Sequence, residues 1–300
     1  MQILLTVSYD GTNYAGWQRQ ANAIAVQEKL EDALAILLAR PKGKPPQKSI
    51  QHELQSSPVG NLRKPTSHES VQHDFQKPPV VVRAASRTDA GVHALGQRAA
   101  FFADDLRVPL AKLPMVLNGL LPTDISVTDA RAVADDFNPR FDAKQKTYIY
   151  NMYNAACPNP LLARYSAFVP HELNLAAMQE AAACFVGLHD FAGFCAVGSS
   201  AKTTVREVFS CTVSRNESEK CAFFCGAAAG GEQENGMISL EICGGGFLYN
   251  MVRIIAGTVL YVGLGKICPA SIPEIIASCN RENAGKTMPP HGLTLMRVEY

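Results

Sequence analysis

Hydrophobic period gives the same order of elements twice along this chain, and that repetition narrows the folds open to it. In the first half, residues 3–9 alternate as a strand. Residues 25–39 then place Val26, Leu30, Leu34, Leu37 and Leu38 on one helical stripe, with Glu28, Lys29, Glu31 and Asp32 off it. Residues 80–83 and 97–102 read as strands joined by a Gly-bearing loop. Residues 110–121 read as a short helix with Pro114 in its first turns, and 125–133 as a strand. The second half repeats the order, with strands at 146–153, 205–213, 237–243 and 295–300. Its helices fall at 175–186 and 247–262, and a short one at 272–278. Strand–helix–strand–strand–helix–strand, twice, predicts an α+β protein of two tandem ferredoxin-like (RRM-like) units. That architecture serves RNA binding, metal transport and several enzyme classes, so it assigns no function.

Between the first helix and the next strand, residues 41–79 carry seven of the eighteen prolines and three of the seven histidines, with few large apolar groups. This composition cannot offset its ordering entropy and reads as a flexible insertion. The spacing of His52, His68 and His73 fits no metal site. The 300 residues and 47% hydrophobic content supply apolar material for two cores, giving expected domains at 1–136 and 137–300. Net charge is +1, so basic groups that meet a polyanion must be gathered locally. Nine cysteines, none spaced C-x-x-C, read as reduced thiols. The N-terminus lacks a basic n-region, and residues 251–265 carry Arg253 and are too short to cross a bilayer. A soluble cytoplasmic protein with no membrane contact is expected.

The usual cofactor signatures are missing. Gly263-Leu264-Gly265-Lys266 and Gly285-Lys286-Thr287 resemble parts of a phosphate loop, but Leu260 and Asn280 stand where its first glycine belongs. Neither a nucleotide cofactor nor a metal is expected. One dense polar segment remains, Ser86-Arg87-Thr88-Asp89-Ala90-Gly91-Val92-His93-Ala94, following the apolar run Val80-Val81-Val82. Asp89-Ala90-Gly91 is a turn signal, which suits a capping aspartate. The same residues also place a carboxylate beside an arginine at a strand end, where an opposite charge keeps it ionised as a nucleophile.

The run from Arg87 to His93 resembles the signature of the TruA-type tRNA pseudouridine synthases. Further similarities follow in order: Tyr9-Asp10-Gly11 with Gly16-Trp17-Gln18-Arg19-Gln20; Val26-Gln27-Glu28-Lys29-Leu30; and Asp136-Phe137-Asn138-Pro139-Arg140-Phe141 with Lys146-Thr147-Tyr148-Ile149-Tyr150. Gly246-Phe247-Leu248-Tyr249-Asn250-Met251-Val252-Arg253 and Pro289-Pro290-His291-Gly292-Leu293 complete the set. The resemblance covers residues 1–39 and 80–300. Two departures stand out: Ser86 occupies a position where many members carry glycine, and the insertion after Ala39 is unusual.

The resemblance implies the pseudouridine synthase fold with a central cleft. It also implies an isomerase that converts uridine to pseudouridine at positions 38, 39 and 40 of the tRNA anticodon stem-loop. Asp89 maps onto the family's essential aspartate, acting at C1′ or on a glycal-forming path. Tyr148 maps onto the active-site tyrosine and Arg253 onto the arginine that pairs with the aspartate. Arg87 contacts phosphate or flips the base. Leu293, with Gly292, is the candidate apolar floor under the uracil. A homodimer with tRNA touching both protomers is implied as well. From the residues alone, Tyr148 could equally be one of an apolar strand face with Tyr150 and Met152. Arg253 near a helix start sits against the positive dipole end, which calls for an acidic partner. His93 reads as a loop brace. A non-catalytic RNA-binding protein would want an RNP1 pattern, which is missing, and a glycosidase would want a second acid near Asp89.

Overall fold

The computed structural model describes residues 1–39, 80–199, 201–216 and 236–300. The insertion at 41–79, and Cys221 and Cys225, lie outside the described residues. In the first half, β1 (Gln2–Tyr9), α1 (Val26–Ala39), β2 (Arg83–Ala84), β3 (His93–Phe102), α2 (Leu113–Asn118) and β4 (Ile125–Val133) follow one another. In the second come β5 (Gln145–Asn154), β6 (Ala167–Val169), α3 (Leu175–Ala183), β7 (Gly187–Asp190), β8 (Val205–Asn216), β9 (Gly236–Gly244), α4 (Met251–Gly263), α5 (Ile272–Ala277) and β10 (Leu293–Glu299).

These strands form one mixed, mostly antiparallel sheet in the order β4-β1-β3-β10-β5-β9-β8-β7, with β2 on β3 and β6 on β5. The halves meet where β10 runs parallel to β3, through Thr294–His93 and Leu295–Ala94. That contact lies at the first residues of both strands, and the loop carrying Asp89 enters β3 there. A single buried cluster runs from Ile3 and Leu5 through Tyr148 and Tyr150 to Ile254 and Leu295, so the two expected cores are continuous. A satellite of Tyr153, Ala155 and Leu162 flanks it. Helix α4 is apolar on nearly every side and is buried accordingly. Ile254, Ile255 and Val259 are fully buried there, and each contributes about 1.5–3 kcal/mol of transfer free energy.

Where the elements depart from expectation, side chains have taken over backbone partners. The apolar run at 80–82 is not a strand. Val82 N donates to Glu31 Oε1 (3.2 Å), and Gln27 Nε2 donates to Val82 O (3.0 Å). Helix α1 thereby supplies the bonds that a neighbouring strand would have given, and β2 shrinks to Arg83–Ala84. Glu31, expected on the solvated face, is buried for the same reason and also receives Arg19 Nη1 at 2.9 Å. Helix α4 starts at Met251 rather than 247, because Asn250 adopts a left-handed φ of 60°. Pro114 falls at the N-terminal end of α2, after a 3-10 turn at Leu110–Lys112, where its missing N–H costs nothing.

Candidate active site

The loop between β2 and β3 takes its shape from one turn. Val92 N donates to Asp89 O at 3.1 Å. Gly91 stands third in that turn at φ +76°, as a type II turn demands, and glycine adopts this conformation at no steric cost. The segment after β1 lies beneath the loop. Trp17 N donates to Thr88 O (3.0 Å), Gly91 N donates to Tyr14 O (3.3 Å), and the Tyr9 and Thr88 hydroxyls are 2.7 Å apart. Gly16 is tied to this approach: its φ is +96°, and a Cβ there would come within 2.6 Å of Thr88 O.

The root of the loop is held from two more strands. On β3, Gln97 Nε2 donates to Ser86 O (2.8 Å) and Gln97 Oε1 accepts from Ser86 N (3.2 Å). On β5, Lys146 Nζ donates to Ala85 O at 2.7 Å, and the Tyr148 and Ser86 hydroxyls are hydrogen-bonded at 2.8 Å. His93 is the brace behind the turn. Gly11 N donates to its Nδ1 (3.0 Å), so the ring proton sits on Nε2, facing Arg164 O (2.8 Å) and His291 O (3.2 Å). With Nδ1 accepting, the 3.2 Å approach of Asp10 Oδ1 to that nitrogen is not an ion pair.

Asp89 faces Arg253 across the junction of the halves. Arg253 Nη1 donates to Asp89 Oδ2 at 3.3 Å, with side chains 14% and 23% exposed. The same Nη1 donates to Asn250 Oδ1 (2.7 Å), Nε donates to Met288 O (2.7 Å), and Met288 N returns a bond to Arg253 O (3.2 Å). An arginine in the first turn of a helix opposes the dipole; the carboxylate, the amide oxygen and the carbonyl together offset that penalty. Burial pushes the Asp89 carboxyl above its ordinary value, while the charge of Arg253, and then its hydrogen bond, hold it down. Burial dominates, so Arg253 limits the rise rather than reversing it.

Tyr148 is buried with its ring edge-on to Phe247, centroids 5.3 Å apart. Burial pushes its phenol up to about 12; the Ser86 bond opposes this and the Asp89 charge reinforces it. It is therefore a neutral phenol near pH 7, in the same field as Asp89. Arg87 is exposed on the loop and has no partner among the described residues. Leu293 is buried at the start of β10, opposite Tyr150 rather than Tyr148, which faces Leu295.

The structure thus pairs Asp89 with Arg253, sets Tyr148 within the electrostatic reach of Asp89, and leaves Arg87 exposed on the same loop. Sequence reasoning gave no role to Lys146, the Ser86 hydroxyl, Phe247 or Asn250. Lys146 alone left a signal: it stands two residues before Tyr148, hence on the same strand face. Among the described residues, no group of three or more His, Cys, Asp or Glu is placed to hold a metal ion. No described helix is long and apolar enough to cross a membrane.

Comparison with known proteins gives the family. A sequence model of the tRNA pseudouridine synthase family matches residues 5–142 and 181–300. The chain is 40% identical over 298 residues to tRNA pseudouridine synthase A of Caldicellulosiruptor saccharolyticus, covering 99% of both chains. It is 39% identical over 299 residues to the Ruminiclostridium cellulolyticum protein of that name, covering 100% of this chain and 99% of the relative. The Bacillus licheniformis protein is 38% identical over 300 residues, with the same coverage. Matched along nearly its whole length, this chain belongs to the tRNA pseudouridine synthase family.

Proposed function

We propose that this isomerase converts uridine to pseudouridine at positions 38, 39 and 40 of the tRNA anticodon stem-loop, with Asp89 as nucleophile. The observation that carries the reading is the pairing of Asp89 with Arg253 from the opposite half, within the field of Tyr148. The carboxylate attacks C1′, forming an O–C1′ bond as the glycosidic N1–C1′ bond breaks and uracil leaves with the electron pair. The base turns, C5 attacks C1′, the carboxylate departs, the proton on C5 is lost to solvent, and N1 takes up a proton in its place. Tyr148 stacks on the extruded base, and its neutral phenol donates a hydrogen bond to it. Arg87, exposed and unpaired, contacts phosphate on the incoming strand. Exclusion of water protects the opened ribose from hydrolysis.

The two halves, 1–136 and 137–300, are read as tandem ferredoxin-like units around the cleft. The strand order β4-β1-β3-β2 in the first and β10-β5-β9-β8 in the second supports this. The chain is read as acting in the cytoplasm as a homodimer, since a net charge of +1 per chain is small for a tRNA footprint. The test is tritium release from tRNA labelled at uridine C5. Release is expected from a transcript carrying uridine at 38–40 and should vanish when all three are replaced by cytidine. Equal release from the substituted transcript would refute the site assignment.

A further inference from the structure

Strand β5 belongs to the second half and the Asp89 loop to the first, yet two β5 side chains reach the root of that loop. Lys146 Nζ holds Ala85 O at 2.7 Å, and the Tyr148 hydroxyl holds that of Ser86 at 2.8 Å. Ala85 and Ser86 lie just before Arg87-Thr88-Asp89. Lys146 is 8% exposed on a strand face shared with the buried Tyr148, Tyr150 and Met152. Taking an ammonium out of water is costly, and one carbonyl is thin compensation. An apolar residue would serve packing better, so the charge at this point has another use.

We propose that Lys146 is a positioning residue for the reaction: its ammonium, by holding the Ala85 carbonyl, sets the Asp89 loop against Tyr148 across the junction of the two halves. The proposal rests on the roles given above to Asp89 and Tyr148. A charge-assisted hydrogen bond is roughly twice as strong as a neutral one, so loss of the proton loosens the grip. Burial lowers the Lys146 ammonium to about 8, and the charge of Arg140 adds to the effect. Opposite Lys146 in the sheet stand Gly244 on β9 and Val298 on β10, neither titratable. The loop presents Ala85 and Ser86, and Arg140, from the β4–β5 connection, is the charged group acting on it.

The test compares wild type, Lys146→Met and Lys146→Arg in single-turnover tritium release between pH 6.5 and 10, with tRNA affinity and thermal unfolding alongside. Lys146→Met should lose about tenfold or more in rate at neutral pH, with affinity nearly unchanged, as misplacement of a reacting group implies. Lys146→Arg should recover most of the rate and carry its alkaline limb to higher pH, since guanidinium does not titrate there. Stability should move the opposite way. With a folded pKa below the unfolded one, the native protein binds fewer protons between about 8 and 10.5, so wild-type stability gains over that range while its rate falls. A lysine that only packs would show the stability trend without the rate limb.

Wild-type turnover in Lys146→Met, superimposable alkaline limbs for wild type and Lys146→Arg, or a loss of tRNA affinity matching the loss of rate would each overturn the proposal. Should Lys146→Met fail to fold, the wild-type and Lys146→Arg limbs decide alone. Absence of tritium release from wild type at every pH would instead count against the underlying reading of the reaction.

Discussion

The two charged groups of the site are held in opposite ways. Arg253 sits in the first turn of a buried helix, gripped by Asn250 just before it and by the Met288 backbone, whose carbonyl accepts from Arg253 Nε and whose N–H donates to Arg253 O. Asp89 sits on a loop, and its supports come from distant parts of the chain. Tyr9, Tyr14 and Trp17 lie beneath it, Gln97 stands beside it, and Lys146 and Tyr148 reach in from the other half. A helix start fixes a charge with few contacts because its backbone is already set. A loop must borrow rigidity, so the geometry of the Asp89 carboxylate is distributed over much of the sequence. Substitutions far from Asp89 should therefore lower the rate while leaving the Arg253 side intact.

The largest effect is expected at Asp89 itself. Asp89→Asn keeps the shape and removes the charge on which the proposed attack at C1′ depends, so tritium release should fall by at least ~10³-fold, with tRNA binding retained in a filter-binding assay. Because burial disfavours the charged form, the variant should unfold at an equal or higher temperature. An active Asp89→Asn enzyme would remove this residue from the comparison altogether. Tyr148→Phe comes next: it keeps the ring and loses the hydroxyl that bonds Ser86 and, in the proposed reaction, meets the base. A rate loss of about 10²-fold is expected, with little change in affinity; wild-type rates would reduce Tyr148 to a stacking surface. Gly16→Ala should do less, and it sharpens the contrast most. Strain at φ +96° and the approach to Thr88 O should cost about 1–3 kcal/mol in chemical denaturation. The rate should fall about tenfold through displacement of the loop. An unchanged rate in a destabilised Gly16→Ala protein would show that the loop does not depend on the segment beneath it.

Much of this site was legible in the chain because it rests on short, dense motifs. The turn at Asp89-Ala90-Gly91 and the need of Arg253 for an acidic neighbour both follow from local chemistry. The regular strands were legible as well, since alternation over eight or more residues has few other readings: 125–133 is observed with the bounds that its pattern suggested. The rest was hidden for identifiable reasons. Val80-Val81-Val82 has the composition of a strand, but Gln27 and Glu31 on α1 satisfy the backbone of Val82, and local pattern cannot register a partner fifty residues away. Helix α4 starts later than the pattern suggests, because Phe247-Leu248 continues the apolar run while the left-handed Asn250 that ends the approach resembles any other polar residue. Strands β6 and β7, of three and four residues, are too short to show a period. The grip of Lys146 on Ala85 was invisible for the same reason as the Val82 bonds: it crosses between halves.

The pairing of Asp89 with Arg253 is best tested through the pH dependence of a single turnover, measured as tritium release for wild type and Arg253→Met under conditions where chemistry limits the rate. In the proposed reaction ionised Asp89 is the reactive form, so the rate should fall as pH drops through its pKa, which burial raises and Arg253 holds down. Removing the guanidinium should carry the acid limb to higher pH and lower the plateau. An acid limb that stays in place in Arg253→Met would contradict the pairing and, with it, the assignment of Asp89 as the titrating nucleophile.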